Sequence, residues 1–198
     1  MRMRHAMVVL VAGALAMPAL AAEPAKDAPA MSPEQQRIME AYMKAGTPGP
    51  EHARLAKWVG AWDLDLTNFE GPTPQKSKGT AEFSSDLDGR VVNQVVKSDM
   101  MGMPFVGHGT EGYDNVAKKY WSVWTDNMST GPSVAWGTCT DVLCSYEGTY
   151  NDALSGKPTK VRMTIKAEGA DKQVFSYFGP GPDGKEKKTM EIVYLRKK

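Results

Sequence analysis

The sequence predicts an all-β protein, an antiparallel up-and-down barrel of about ten strands with one or two short helices ahead of it. Three observations carry that expectation. From Trp62 onward apolar and polar residues alternate with a period of two, the pattern of a strand with one dry and one wet face. The alternating runs are short and are separated by turn-forming pairs such as Asp88-Gly89, Asp114-Asn115, Ser155-Gly156, Gly169-Ala170 and Asp183-Gly184. The connections are too short for the helical crossovers of a parallel sheet. A meander of that many strands tends to close, because closure removes its exposed edges.

The chain opens on Met1-Arg2-Met3-Arg4-His5, followed by an apolar run from Ala6 to Leu20 and an Ala19-Leu20-Ala21 ending. A basic start, a short apolar middle and small residues at the cut form the pattern of a secretory signal peptide, 1–21. The run is short for a membrane span of about 20 apolar residues. Export to the periplasm or the medium is therefore expected, with no membrane span after cleavage. Cutting there removes Arg2 and Arg4 and no acid from a formal charge of +1, so the mature chain is close to neutral. A nucleic-acid partner is not expected, since phosphate binding needs a basic excess or stripe.

Residues 22–32, rich in Ala, Pro, Glu, Asp and Lys, read as a flexible arm. Helices are expected over 33–59. Ser32 can cap the first, with Pro33 at its opening position and Gln35 in the capping-box place. Its apolar residues Ile38, Met39, Tyr42 and Met43 lie at helical spacing, and Gly46 stops it. Pro48-Gly49-Pro50 breaks the chain, and a second helix over about 51–59 brings Leu55, Trp58 and Val59 to one side. Both helices are expected to pack on the barrel.

The barrel is expected over 60–198. Trp62, Leu64 and Leu66 alternate with Asp63, Asp65 and Thr67 in its first strand. Comparable runs follow near 78–87, 90–99, 105–113, 119–126, 133–140, 143–150, 159–168, 172–179 and 187–196. Cys139 and Cys144 are separated by a hairpin-length loop. If the flanking strands pair, the cysteines face one another, and in an oxidising compartment they form a structural disulfide worth about 2 kcal/mol.

Gly60-Ala61-Trp62 at the head of the first strand resembles the G-x-W of the calycin superfamily, which includes lipocalins, fatty-acid-binding proteins and nitrobindin-like barrels. The resemblance implies that Trp62 closes one end of the barrel beneath a basic side chain from near the last strand, for which Arg196 is placed. The chain after residue 52 also resembles DUF1579, a bacterial exported family of unknown function. The matching segments are Gly89-Arg90, Met101-Gly102-Met103-Pro104-Phe105, Gly107-His108-Gly109, Gly112-Tyr113-Asp114, Trp124-Thr125-Asp126 with Ser129-Thr130, and Met190-Glu191-Ile192-Val193-Tyr194-Leu195-Arg196. This resemblance implies a fold and no settled activity.

Five tryptophans, Trp58, Trp62, Trp121, Trp124 and Trp136, are many for this length. Trp121 and Trp124 differ by an odd number and point to opposite faces of one strand. A lumen lined by Trp, Phe and Met suits a small apolar ligand, each buried methylene contributing about 0.8 kcal/mol; a lumen filled by its own side chains is the other outcome. Met100-Met101-Gly102-Met103-Pro104-Phe105 is an apolar stretch where a polar loop is usual, and it suits a lid over the barrel mouth or a contact for a partner. The ligand-binding candidates are Met101, Met103, Phe105, His108, Tyr113, Trp124 and Trp136; the structural candidates are Trp62, Arg196, Cys139 and Cys144.

His108, flanked by glycines, is the candidate polar contact or haem ligand, and with the three methionines it could bind copper(I). Otherwise no cofactor and no metal site is expected. His52 reads as solvated. No G-x-S-x-G, H-E-x-x-H or phosphate-binding glycine loop is present, so no catalytic residue is assigned and a binding role is favoured over an enzyme. The leading expectation is an exported binding module with a small apolar molecule in its lumen. The alternatives are an envelope interaction protein with a filled barrel that uses 100–105 as its contact, and a haem or metal protein using His108.

Overall fold

Ten strands follow two helices along the chain. The computed structural model describes residues 31–100, 102–153, 155–181 and 183–198. The expected signal peptide, most of the expected 22–32 arm and Met101 lie outside the described residues. The helices are α1 (Pro33–Gly46) and α2 (Pro50–Ala56). The strands are β1 (Gly60–Asn68), β2 (Gln75–Asp86), β3 (Val91–Met100), β4 (Met103–Asp114), β5 (Lys119–Asp126), β6 (Ser133–Cys139), β7 (Leu143–Asp152), β8 (Lys157–Ala167), β9 (Lys172–Pro180) and β10 (Glu186–Arg196). Each strand pairs antiparallel with its neighbours in sequence, and β1 pairs with β10 to close the barrel. The edges that an open meander would expose are thus absent.

The register decides which residues face inward. In β1, Trp62 and Leu64 are buried beside Ala81 and Phe83 of β2 and Ile192 and Tyr194 of β10. One regular alternation runs through most strands. It breaks at a bulge between Lys188 and Met190 in β10, which keeps Met190, Ile192 and Tyr194 on the inner side.

One end of the barrel is closed. There α2 packs against β3 and β4 and presses Leu55 into the core. Trp62 lies directly beneath the floor, its Nε1–H donating to the Trp58 carbonyl at 2.9 Å. The Arg196 guanidinium covers the Trp62 ring at 4.1 Å and donates to the carbonyls of Val59, Lys57 and Ala170. One planar cation thereby ties the second helix, the first strand and the β8–β9 turn together. Arg54 of α2 reaches across the same end to Asp141 in the β6–β7 turn. The disulfide between Cys139 and Cys144 joins the partners that face each other across that hairpin.

The helical segment departs from the sequence expectation in three ways. Helix α1 buries no residue, and Ile38, Met39, Tyr42 and Met43 are all exposed. Helical spacing established their common face but not a surface to receive it. Its tie to the barrel is at its end, where the Asn115 side-chain amide donates to the carbonyls of Ala45 and Thr47. Val59 is exposed. His52 is buried rather than solvated: Nδ1 accepts the Gly49 N–H at 3.0 Å, and the ring meets Tyr113 edge-on. Burial of an imidazole is tolerated because that hydrogen bond satisfies it.

Candidate functional site

The barrel encloses a lumen of about 800 Å³ that opens at the end opposite α2. The barrel is therefore not packed solid. Its hollowness follows from small residues at inward positions. Trp124 of β5 lies flat across Gly107 and Gly109 of β4; a Cβ on Gly107 would sit 2.1 Å from the indole. The Tyr146 ring of β7 lies over Gly137 of β6 in the same way, 2.7 Å from where a Cβ would be. Rings laid against the wall leave the centre open. On the outer face Trp121 covers Gly112, so the two tryptophans of β5 do occupy opposite sides.

The walls are largely apolar: Val96, Phe105, Trp124, Met163, Ile165, Phe175, Met190 and Ile192 face the space. Phe105 and Trp124 stack near the mouth with ring centroids 6.4 Å apart and planes 17° from parallel. Trp58, Phe83, Tyr146 and Tyr194 contribute at the closed end.

A small polar group sits among these walls. Gln94 of β3 donates through Nε2 to the Tyr194 hydroxyl at 3.1 Å, and both are buried. Glu111 of β4 also faces the lumen. Its Oε2 and the Tyr146 hydroxyl are both covered and lie against each other, short of a hydrogen bond of ordinary geometry. The two groups nonetheless feel each other. Burial pushes the Glu111 carboxyl up to about 8, with Tyr146 beside it acting in the opposite sense. Burial, and then the charge of Glu111, raise the Tyr146 phenol far above its ordinary value. Desolvation likewise raises Tyr194 and Tyr177. The surface that Glu111 retains belongs to the lumen, which is why a carboxyl with some accessible area still behaves as a desolvated acid.

The mouth is formed by the β5–β6 loop, 127–132, with the β3–β4 and β7–β8 turns beside it. Asn127 pins the loop to β4: its Nδ2 donates to the Pro104 carbonyl at 2.9 Å and its Oδ1 accepts the Val106 N–H at 3.0 Å. Asp126 accepts the Trp124 Nε1–H at 2.8 Å and so orients the indole.

The sequence candidates divide. Phe105 and Trp124 line the lumen. Tyr113 points inward but lies below the floor, against Tyr120 and His52, beside a shallower recess under α2. His108 and Trp136 are exposed on the outer face, and Met103, which has the inward phase of Phe105, is exposed at the rim. His108 sits one residue out of phase with Gly107, Gly109 and Glu111, so it does not reach the lumen. Met100 and Met103 face each other across the hairpin on the inward phase whereas His108 points outward, so these methionines do not converge with His108 on one centre. Among the described residues there is no cluster of His, Cys, Asp and Glu suited to a metal. In the 100–105 stretch, β3 and β4 pair up to Met100 and Met103, and Gly102 has φ +82°, so its apolar residues belong to a hairpin beside the mouth rather than to a long loop. Proline at 104 does not interrupt the ladder. Glu111, Gln94, Tyr146 and Tyr194 were missed by sequence reasoning. Inward parity was their signal, since Glu111 is in phase with Phe105, Gly107 and Gly109.

Residues 47–196 match the profile of the family described as "Protein of unknown function (DUF1579)". The chain belongs to the DUF1579 family. No curated protein matches it. This DUF1579 barrel is similar to the crystal structure of Rv2717c from M. tuberculosis, with a TM-score of 0.56 and 14% identity over 77% of this chain and 100% of that one. That likeness is one of fold. A redesigned β-barrel matches at a TM-score of 0.41 and 16% identity, covering 73% of this chain and 95% of that one. EF1p2_mFAP2b bound to DFHBI matches at 0.42 and 16%, covering 74% and 98%.

Proposed function

We propose that this protein is an exported binding module that holds a small, mostly apolar molecule in the lumen of its barrel. The observation that carries the proposal is the open space of about 800 Å³ behind the β5–β6 loop, walled by aromatic, aliphatic and methionine side chains with a few polar groups. Ligand sites have this size and this balance, an apolar lining with sparse hydrogen-bonding groups that orient the occupant. An occupant that displaces water from these walls gains about 0.8 kcal/mol for each methylene buried. The signal-like sequence over 1–21 and the Cys139–Cys144 disulfide support an oxidising destination, periplasm or medium.

Purified protein, extracted with organic solvent and examined by mass spectrometry, is expected to release an apolar compound. The emptied protein is expected to take up dodecanol with a saturable change in tryptophan emission. That change is lost in Trp124→Phe and kept in Trp121→Phe. Emission that dodecanol leaves unchanged, with no extractable compound, overturns the proposal.

A further inference from the structure

The lumen is apolar but not electrically neutral. Its only ionisable carboxyls among the described residues are Glu111, deep on β4, and Asp126 at the mouth; no Lys, Arg or His lines it. Asp126 already accepts the Trp124 indole N–H and the Met128 backbone N–H. Glu111 differs. Its Oε2 is covered, with the Tyr146 hydroxyl as its neighbour, and the surface the residue retains faces the lumen with no cation opposite. A carboxyl held in an apolar wall is costly to ionise, and a cation arriving at its lumen-facing side would offset that cost.

Building on the lumen-binding reading, we propose that the occupant is a cationic amphiphile, an apolar body ending in an amine or quaternary ammonium group that lies against Glu111. Two features of the wall suit such an end. A carboxylate without a resident cation attracts it strongly in a water-poor space. The aromatic residues Trp124, Phe175 and Tyr177 also line the lumen, and aromatic rings attract ammonium groups through their π-faces. Once Glu111 has lost its proton, the same wall disfavours a fatty acid or a propionate, whose charge would meet Glu111 and Asp126 with no cation to balance it.

Proton release accompanies binding of the cation. The empty site holds a proton on Glu111, because burial raises that carboxyl to about 8. The groups around it do not titrate in its place. Tyr146 from β7, Tyr194 from β10 and Tyr120 from β5 all have phenols raised above the ordinary range, chiefly by burial. Gln94 from β3 carries no charge. Arg54 from α2 lies below the floor, engaged with Asp141.

Three probes with one tail decide the matter: dodecyltrimethylammonium, dodecanol and dodecanoate, titrated below their micelle concentrations into the intact mature protein. The quaternary probe keeps its charge at every pH, so its affinity reports Glu111 alone. It is expected to bind roughly tenfold to a hundredfold more tightly at about pH 9 than at about pH 6, with dodecanol unchanged and dodecanoate weakest. Glu111→Gln is expected to flatten that pH dependence, and a dependence that persists in this variant overturns the inference. Tyr146→Phe keeps the carboxyl and is expected to keep the preference. Dodecanol binding with no preference for the cation, or a preference for dodecanoate, overturns this inference and spares the lumen reading. Failure of all three probes to bind overturns both.

Discussion

Replacing Glu111 by Gln is expected to stabilise the empty barrel, and to do so only above the ordinary range of a carboxyl. The folded protein keeps the Glu111 proton up to about 8, whereas the unfolded chain releases it near 4.5. Below about pH 4.5 both states are protonated and the group makes its full contribution to stability. Between about 4.5 and 8 the unfolded state gains by ionising while the folded state does not, so stability falls by about 1.4 kcal/mol per pH unit. Above about 8 the carboxyl ionises in the folded state too and the loss levels off. The total is about 3–5 kcal/mol, toward the lower figure where water in the lumen solvates the carboxyl. Glutamine has the same shape and no proton to lose. The wild-type and Glu111→Gln proteins should therefore diverge as pH rises, the variant gaining about 6–20 °C in Tm by about pH 8. Urea or thermal unfolding of both proteins at constant ionic strength measures the difference, and taking the difference removes the titration of the surface carboxylates. A stability gap that stays constant from about pH 5 to about pH 8 would refute the desolvated state of Glu111.

Two further outcomes follow from the packing. Arg196→Ala removes the cation over Trp62 and three hydrogen bonds to carbonyls, and should cost about 2–4 kcal/mol in urea unfolding, with Arg196→Lys recovering less than half because an ammonium lacks the planar fork. Gly107→Ala drives a methyl group into the Trp124 indole, so it should destabilise by about 1–3 kcal/mol and tilt that ring into the lumen; dodecanol affinity that stays at the wild-type value would contradict the fit of ring to glycine.

Much of the fold was legible because strand periodicity is a local property. Trp62, Leu64 and Leu66 announce their inward face within one strand, and the turn pairs mark where each strand ends. Cys139 and Cys144 are similar: five positions apart on a hairpin, their pairing needs only that hairpin. Arg196 over Trp62 was legible through resemblance, because the two residues are remote in sequence and no local rule joins them. Helix α1 shows the limit of periodicity. Its apolar stripe is as regular as that of a packed helix, yet Tyr42 and Met43 remain exposed.

The site was harder to read because it depends on phase and volume together. His108 drew attention by its rarity and its glycine neighbours, but those glycines serve Trp124 on the next strand and leave the imidazole outside. Glu111 was not singled out from the sequence, and its phase with Phe105 and Gly109 is what distinguishes it. The stretch at 100–105 read as a lid because its apolar residues follow one another. The ladder continues through it to Met100 and Met103, and the covering role at the mouth falls to 127–132.

Alternation, turn residues and spacing along the chain determined ten antiparallel strands and the cysteine hairpin, since hydrogen-bonded neighbours in a meander are also neighbours in sequence. The closed circuit through β1 and β10, the hollow centre and the buried acid within it were decided by the tertiary structure. A cavity is the volume that inward side chains from all ten strands leave unfilled, and the desolvation of Glu111 is a property of that enclosure. Neither quantity exists for a single strand.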